Sequence, residues 1–147
     1  MIITSRTFEE VRNLIKQAKD KKEQIIFTSD DDELARKVLE KEKIDVLLIN
    51  LENRRDFQKQ RNSGFNQVIA NLAKEKAVTI GINLDEIIES QRKAELLARL
   101  KQNIKICNKK KLKMKFIAQK EQNKRDKYDL TSLGLTLGMP TSMTKDL

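Results

Sequence analysis

The stretch DVLLIN, Asp45 to Asn50, determines the fold class that we predict for this chain of 147 residues. Its four central residues are all apolar, without the alternation of polar and apolar positions that marks a strand with one wet face. Continuous apolar runs of this length are typical of parallel strands that are covered on both faces. We therefore predict a central, buried strand in an α/β protein.

Similar β-branched runs recur along the chain, and longer charged segments of helical period separate them. This alternation predicts repeated βα units around a parallel sheet. The other predicted strands are Met1 to Thr4, Gln24 to Thr28, Ala77 to Ile82 and Lys113 to Ala118. We expect one βα-barrel-like domain over residues 1–140 and a flexible tail over 141–147. Five strands would make a shortened barrel, and an incomplete barrel would expose an edge that a partner could cover.

The helical segments carry start and stop signals. Thr7, with Glu10 three residues later, has the spacing of a capping box, and Ser29 and Ser63 are the caps predicted for the next two helices. The longest predicted helix carries its lysines and arginines on the outer face. The predicted helices are Thr7 to Lys21, one that follows Ser29, Ser63 to Lys74, Ile88 to Lys111, and Asp129 to Leu137.

The chain is strongly basic, with 31 Lys and Arg against 22 Asp and Glu and a net charge of +9. A basic excess attracts polyanions and favours phosphate contacts through counterion release, so nucleic acid is the leading class of partner. A charged exterior that serves solubility, as in thermophilic proteins, is the alternative. The single cysteine, Cys107, leaves no disulfide framework, and no run approaches about 18 consecutive apolar residues. We therefore expect a cytoplasmic protein.

Histidine is absent, which removes the commonest general base and the commonest nitrogen ligand for metals. We therefore expect no catalytic residue, no metal site and no cofactor. One acidic run leaves an alternative open: Asp30, Asp31 and Asp32 with Glu33 could ligate Mg²⁺, or they could form the acidic first turn of a helix.

Basic residues concentrate in the long polar connection that follows the central strand. Arginines and lysines alternate there with amides, and in βα proteins such loops open at the carboxyl ends of the strands, where ligands bind. We predict RNA contact for this loop, with a solvated loop as the alternative. A second basic loop after the last strand is predicted to converge on the same end. The predicted RNA-binding residues are Arg54, Arg55, Lys59 and Arg61 in the first loop, and Lys124, Arg125 and Lys127 in the second.

Aromatic residues make up only 4% of the chain, so we expect recognition of RNA shape and backbone rather than extensive base stacking. A separate lysine-rich surface is an open candidate, although strand alternation prevents all of its members from joining one patch. It comprises Lys101, Lys105, Lys109, Lys110, Lys111, Lys113 and Lys115.

Several segments, in the same order and at similar spacing, resemble the family of ribonuclease P protein component 3, the 30-kDa-subunit family of archaea and eukaryotes. They are Ile44 to Ile49, Asn53 to Asp56, Arg61 to Ala73, Val78 to Leu84, Gln102 to Cys107, and Asp129 to Gly134. The sequence departs from the family pattern at Asn62, where an acid is common, and at Gln67, where a histidine is common.

The resemblance implies a TIM-barrel-like fold and membership of the complex that removes 5′ leaders from precursor tRNA, in which the RNA holds the active site. It implies that this subunit has no chemistry of its own. The implied partners are ribonuclease P RNA, ribonuclease P protein component 2 and, through the complex, precursor tRNA, with no membrane. Two alternatives stay open: a generic RNA-binding or chaperone protein, and a degenerate metal-dependent phosphoesterase.

Overall fold

Five parallel strands form one sheet in the computed structural model, which describes residues 1–147. The strands are β1 (Ile2–Ile3), β2 (Ile26–Thr28), β3 (Val46–Ile49), β4 (Thr79–Asn83) and β5 (Met114–Ile117). They follow one another in the sheet in chain order, and every neighbouring pair is parallel. Because β1 and β5 do not pair with each other, the barrel stays open, and the prediction of a TIM-barrel-like incomplete barrel is confirmed.

Six helices connect and follow the strands. They are α1 (Phe8–Asp20), α2 (Asp32–Lys41), α3 (Gln67–Glu75), α4 (Leu84–Glu89), α5 (Lys93–Lys110) and α6 (Lys127–Thr136). Two 3-10 helices, Glu121–Asn123 and Thr141–Asp146, precede and follow α6. None of these helices is both long enough and apolar enough to cross a membrane.

Burial of β3 confirms the central strand, since all of its residues, Val46 to Ile49, are buried. Alternate side chains belong to two separate apolar clusters. Leu47 and Ile49 join the large cluster to which the helices contribute, whereas Val46 and Leu48 join a small one made of strand residues alone. The continuous apolar run is therefore explained by a helical layer on one face and a barrel interior on the other.

The first helix begins as predicted, because the Thr7 hydroxyl accepts a hydrogen bond from Glu10 N at 3.4 Å. The Ser29 prediction is wrong. Asp31 is the cap of α2, and its carboxylate accepts the backbone N–H groups of Glu33 and Leu34 at 3.0 and 3.2 Å. A carboxylate one residue before the helix satisfies two orphan amides at once and also suits the helix dipole.

Ser63 is also not a cap, since α3 begins only at Gln67 and is capped by Asn66, whose Oδ1 accepts Ile69 N at 3.0 Å. Ser63 is buried, and its hydroxyl donates to Phe65 O at 3.2 Å instead. The predicted helix from Ile88 to Lys111 is two helices, because the chain is extended at Ser90, where α4 ends.

The last residues pack against α6. Thr144 is buried within the final 3-10 helix, and Leu147 lies over Gly134, where an added Cβ would approach its Cδ1 to 2.7 Å. The division into a domain of residues 1–140 and a flexible tail stays a prediction.

Candidate nucleic-acid interface

A ladder of polar side chains follows the carboxyl ends of three neighbouring strands. Asn50 lies at its centre, where its Nδ2 donates to Thr28 Oγ1 at 3.0 Å and its Oδ1 accepts Asn83 Nδ2 at 3.0 Å. Since parallel strands end at one edge of the sheet, this ladder forms a floor at what we call the carboxyl edge.

A polar cavity of about 460 Å³ opens above this floor. The loop after β3 contributes Asn53, Arg54 and Arg55 to its wall, and the segment after β5 contributes Gln119. Four carboxylate and two guanidinium side chains line it, with no apolar residue among them. The cavity therefore offers many hydrogen-bonding groups and little apolar surface.

Glu86, in the first turns of α4, holds the start of the β3 loop against this cavity. Its carboxylate accepts Leu51 N at 2.8 Å and Glu52 N at 3.4 Å. Burial raises the pKa of Glu86 above its usual value, and these two backbone N–H groups only partly offset that effect.

The neighbouring Asp85 holds the segment after β5 in the same way. Its carboxylate accepts Gln119 N at 2.8 Å, Lys120 N at 3.4 Å and Asn123 Nδ2 at 2.8 Å. Burial works to raise the pKa of Asp85, but these hydrogen bonds outweigh it, so the pKa lies below its usual value. Adjacent carboxylates of α4 thus fix two different loops.

Arg99 of α5 packs against the long loop after β3 and holds it through hydrogen bonds. Its side chain is only 6% exposed, and it donates to Leu51 O at 3.0 Å, to Arg54 O at 2.8 Å and to the Asp56 carboxylate at 3.2 Å. The prediction that the arginines of this helix all face outward is wrong at Arg99. Arg99 follows Leu96 by three residues and precedes Asn103 by four, and both of these residues are buried. Residues at this spacing share one face of a helix, so the sequence did contain a signal that Arg99 faces the core.

Asp56 closes the same loop on itself, because its carboxylate accepts Asn62 N at 2.9 Å. This hydrogen bond, with further contributions from Arg99 and Arg61, holds the pKa of Asp56 below its usual value despite some desolvation. The carboxylate therefore stays ionised and keeps Arg99 paired at neutral pH.

Arg54 belongs to the framework of the loop rather than to its outer surface. Its side chain is 9% exposed, its Nε donates to Asn50 O at 2.6 Å, and its Nη1 lies 3.0 Å from Asp32 Oδ2. The guanidinium also lies directly under Gly64, where an added Cβ would fall on it. Three predicted residues of this loop are exposed: Arg55, Lys59 and Arg61.

The second basic loop also starts at the carboxyl edge but faces another cleft. Lys124 and Arg125 line a cleft of about 270 Å³ with apolar residues that include Phe116, whereas Arg55 lines the polar cavity. Lys124 pairs with Glu121 at 2.7 Å, and Lys127 is exposed at the start of α6. The structure thus places both basic loops at one edge without joining them in one cavity.

Comparison with models of protein families assigns the chain to a family. The family model described as RNase P subunit p30 matches residues 3–147. The chain belongs to the RNase P subunit p30 family. The match includes nearly all of the first forty residues of the chain. The segments that resembled ribonuclease P protein component 3 in the sequence begin only at Ile44. No curated protein sequence matches the chain.

A solved structure agrees with this family fold. A chain of an archaeal ribonuclease P, determined by cryo-electron microscopy with mature tRNA, superimposes with a TM-score of 0.80 at 23% sequence identity. The alignment covers 98% of the present chain and 62% of the other. This RNase P subunit p30 family member therefore spans somewhat under two thirds of the length of that relative, with the same fold over the shared part.

Asn62, one of the departures from the family pattern, and the acidic run both have structural roles here. At Asn62, the side-chain Oδ1 accepts Gly64 N at 3.2 Å and Arg54 Nη1 at 3.4 Å, so the amide helps to hold the loop. At the acidic run, Asp31 caps α2 and Asp32 pairs with Arg54. Those two aspartates have structural partners in this family member.

Proposed function

We propose that this chain is a non-catalytic protein subunit of ribonuclease P that binds and stabilises the catalytic RNA, which removes the 5′ leader from precursor tRNA. The observation that carries the proposal is the family match over residues 3–147. The archaeal relative was determined in a ribonuclease P with tRNA, which supports the same assembly for this chain. We propose ribonuclease P RNA and ribonuclease P protein component 2 as its partners, and the cytoplasm as its location.

The charge distribution supports contact with RNA at the carboxyl edge. Arg55, Lys59 and Arg61 are exposed on one loop, and Lys124, Arg125 and Lys127 are exposed on the other. Cations that approach RNA phosphates gain free energy by releasing counterions, which is a contribution that needs no base sequence. Arg54 contributes to the same interface by holding the first loop in place through Asp32 and Asn50.

A pull-down of the tagged protein from its native cytoplasm, with sequencing of bound RNA and identification of bound proteins, tests the assembly. Enrichment of ribonuclease P RNA together with component 2 is the expected result. A diffuse RNA population without component 2 would instead support the generic RNA-binding function.

The surface is tested by the salt dependence of binding to ribonuclease P RNA. The triple variant Arg55→Ala, Lys59→Ala, Arg61→Ala is expected to lower the slope of log K against log salt by about one unit per lost phosphate contact. A matched triple variant removes three exposed lysines at the opposite end of the sheet, toward the end of α1: Lys16→Ala, Lys19→Ala and Lys21→Ala.

The control variant loses the same charge, so a general effect of net charge would change both slopes equally. Equal slopes for the two variants would remove the loop after β3 from the interface. A smaller slope in the loop variant alone would place phosphates at that loop.

A further inference from the structure

Two aromatic side chains stand out because water covers most of each. Phe57 is 58% exposed and Tyr128 is 84% exposed. Phe27, Phe65 and Phe116 are buried in the core, and Phe8 is half-buried with the Lys37 ammonium 4.6 Å from its ring centre. Phe57 and Tyr128 are thus the two aromatic residues that the core does not use.

One ring lies in the first basic loop of the carboxyl edge, and the other lies directly after the second basic loop. Phe57 stands between Arg55 and Lys59 in the loop after β3, and Tyr128 directly follows Lys127 in the first turn of α6. Arg55 and Lys59 flank Phe57 within two residues along the chain, whereas Tyr128 has Lys127 beside it, with Arg125 and Lys124 three and four residues earlier. An exposed ring among cations is the arrangement with which proteins stack unpaired bases while neighbouring charges hold the phosphates.

The loop that carries Phe57 is held in shape before any ligand arrives. Arg99 and Asn62 bind the Asp56 carboxylate, one residue before the ring, and Phe57 N donates to Gln60 O at 2.9 Å, one turn beyond it. A platform with a fixed backbone loses less conformational entropy on binding than a mobile loop does. The exposure of Phe57 is therefore a fixed property of the loop.

We propose that Phe57 and Tyr128 stack on unpaired nucleotides of the bound RNA. This inference rests on the proposed function, since it requires the two loops to contact RNA. From the sequence we expected recognition of RNA shape and backbone alone. The present inference adds base stacking, so that cations contact the phosphates and the two rings stack on bases. Paired bases in an RNA helix are already stacked on their neighbours, so the rings select bulges, loops or single strands.

The charge around the rings favours RNA over a protein as their occupant. Cations within two residues of Phe57 are Arg55 and Lys59, against the single acid Asp56, which Arg99 and Asn62 already bind. Around Tyr128 the cations are Lys124, Arg125 and Lys127. The acids are Asp126, which caps α6 by accepting Asp129 N, and Asp129, whose own side chain is exposed. The net charge is therefore +1 over residues 55–59 and +1 over residues 124–129, a sign that favours a polyanionic ligand.

The test uses two synthetic RNA hairpins of equal length, one with an internal bulge of unpaired nucleotides that contains 2-aminopurine and one with the bulge paired. The full chain is titrated with each, and affinity and 2-aminopurine fluorescence are recorded. Phe57→Leu and Tyr128→Leu are each expected to weaken binding of the bulged hairpin about 5- to 150-fold, which corresponds to the known range of about 1–3 kcal/mol per stacked base. The paired hairpin is expected to bind all variants alike.

Three control variants separate stacking from apolar area and from folding. Phe57→Tyr keeps a ring and is expected to bind as the natural chain does. Val68→Ala and Leu135→Ala each remove an aliphatic side chain that is 47% exposed, on α3 and α6, and are expected to leave both affinities unchanged. Circular dichroism confirms that each variant is folded.

Unchanged affinity and fluorescence in both leucine variants would overturn the stacking, and so would equal losses on the two hairpins. In either case salt-dependent binding by the natural chain would leave the proposed RNA-binding function standing. Absence of binding to either hairpin by the natural chain would overturn both proposals. Loss of a co-purifying protein without a change in RNA affinity would assign the rings to a protein contact and would also overturn the inference.

Discussion

Arg99 and Asp56 are 43 residues apart in the chain, and the Arg99 Nη2 lies 3.2 Å from the Asp56 Oδ1. The same guanidinium donates to two backbone carbonyls, so it joins α5 to the loop after β3 at three points. We expect Arg99→Met to lower the free energy of unfolding by about 2–3 kcal/mol, because buried acceptors lose their donor. Chemical denaturation measures this change.

Two variants sharpen this prediction. Arg99→Lys keeps the charge but cannot make the forked contacts, so its unfolding free energy should fall between those of the natural chain and Arg99→Met. Arg92→Met removes an exposed arginine just before α5 and should change stability by no more than about 0.5 kcal/mol. Equal losses at positions 92 and 99 would contradict the account of the loop.

Because the pKa of Glu86 is raised, the free energy of unfolding should depend on pH in the range where this carboxyl group ionises. Burial raises its pKa above 4.5, so the ionised form is disfavoured in the folded chain, and the free energy of unfolding should fall as pH rises from about 4.5 through the folded pKa. Glu86→Gln removes this fall, because an amide does not ionise. Denaturation of both chains at pH 4.5 and at pH 7.5 should therefore show a smaller difference for the variant.

The lowered pKa values of Asp56 and Asp85 act in the opposite direction. They stabilise the fold above the ordinary carboxyl pKa of 3.8, and this stabilisation is lost as pH falls through the folded pKa. The natural chain and the Glu86→Gln variant both retain these two aspartates, so the difference between their pH profiles reports on Glu86 alone. An identical pH profile for the two chains would contradict the assigned burial of that carboxylate.

Gly64 is the position where the long loop tolerates least change. Its φ is +67°, and an added Cβ would fall on the Arg54 guanidinium. Gly64→Ala should cost about 1–2 kcal/mol for the left-handed backbone and more for displacing Arg54. Gly138→Ala is a suitable control, because its φ is +100° but nothing lies within 4 Å of the added atom. Thermal unfolding should place Gly64→Ala below Gly138→Ala, and the reverse order would show that the Arg54 contact is dispensable.

Cys107 provides a direct probe of global unfolding. Burial raises the pKa of its thiol to about 12, and the side chain has no exposed surface. We expect negligible reaction with a thiol reagent at pH 8 until denaturant unfolds the chain. The exposed neighbour offers the control: Asn108→Cys in a Cys107→Ala background should react at once without denaturant. Rapid labelling of the natural chain would show that α5 opens locally.

The positions of the five strands and the approximate positions of most helices were predictable, because the periodic placement of apolar residues can be recognised in a single sequence. The run from Val46 to Ile49 indicated its own burial, and Thr7 with Glu10 indicated the start of α1. Ser29 and Ser63 failed as caps because several hydroxyl, amide and carboxylate side chains compete near each helix start, and tertiary contacts decide among them. At Ser63 the deciding contacts come from Gln102 and Asn103 of α5.

The sequence indicated where the candidate site lies, but it did not indicate which of its residues are exposed and which hold the loops in place. The two basic loops lie at the carboxyl edge, as βα topology requires. Arg54 and Arg55 are adjacent in sequence, yet one is buried against Asp32 and the other is exposed, which depends on contacts from distant elements. The exposure of Phe57 and Tyr128 likewise depends on tertiary packing, which composition does not reveal.

Arg99 fastens the long loop through carbonyl oxygens of Leu51 and Arg54, groups that every amino acid possesses at those positions. The side chains of Arg54, Asp56 and Asn62 add further contacts, so the loop is held largely by residues outside the segment 57–61. Residues 57–61 are all exposed, and we expect substitutions of their side chains to change the surface of the loop with little effect on its backbone. This separation makes the loop a practical position for introducing altered surface chemistry into a small scaffold.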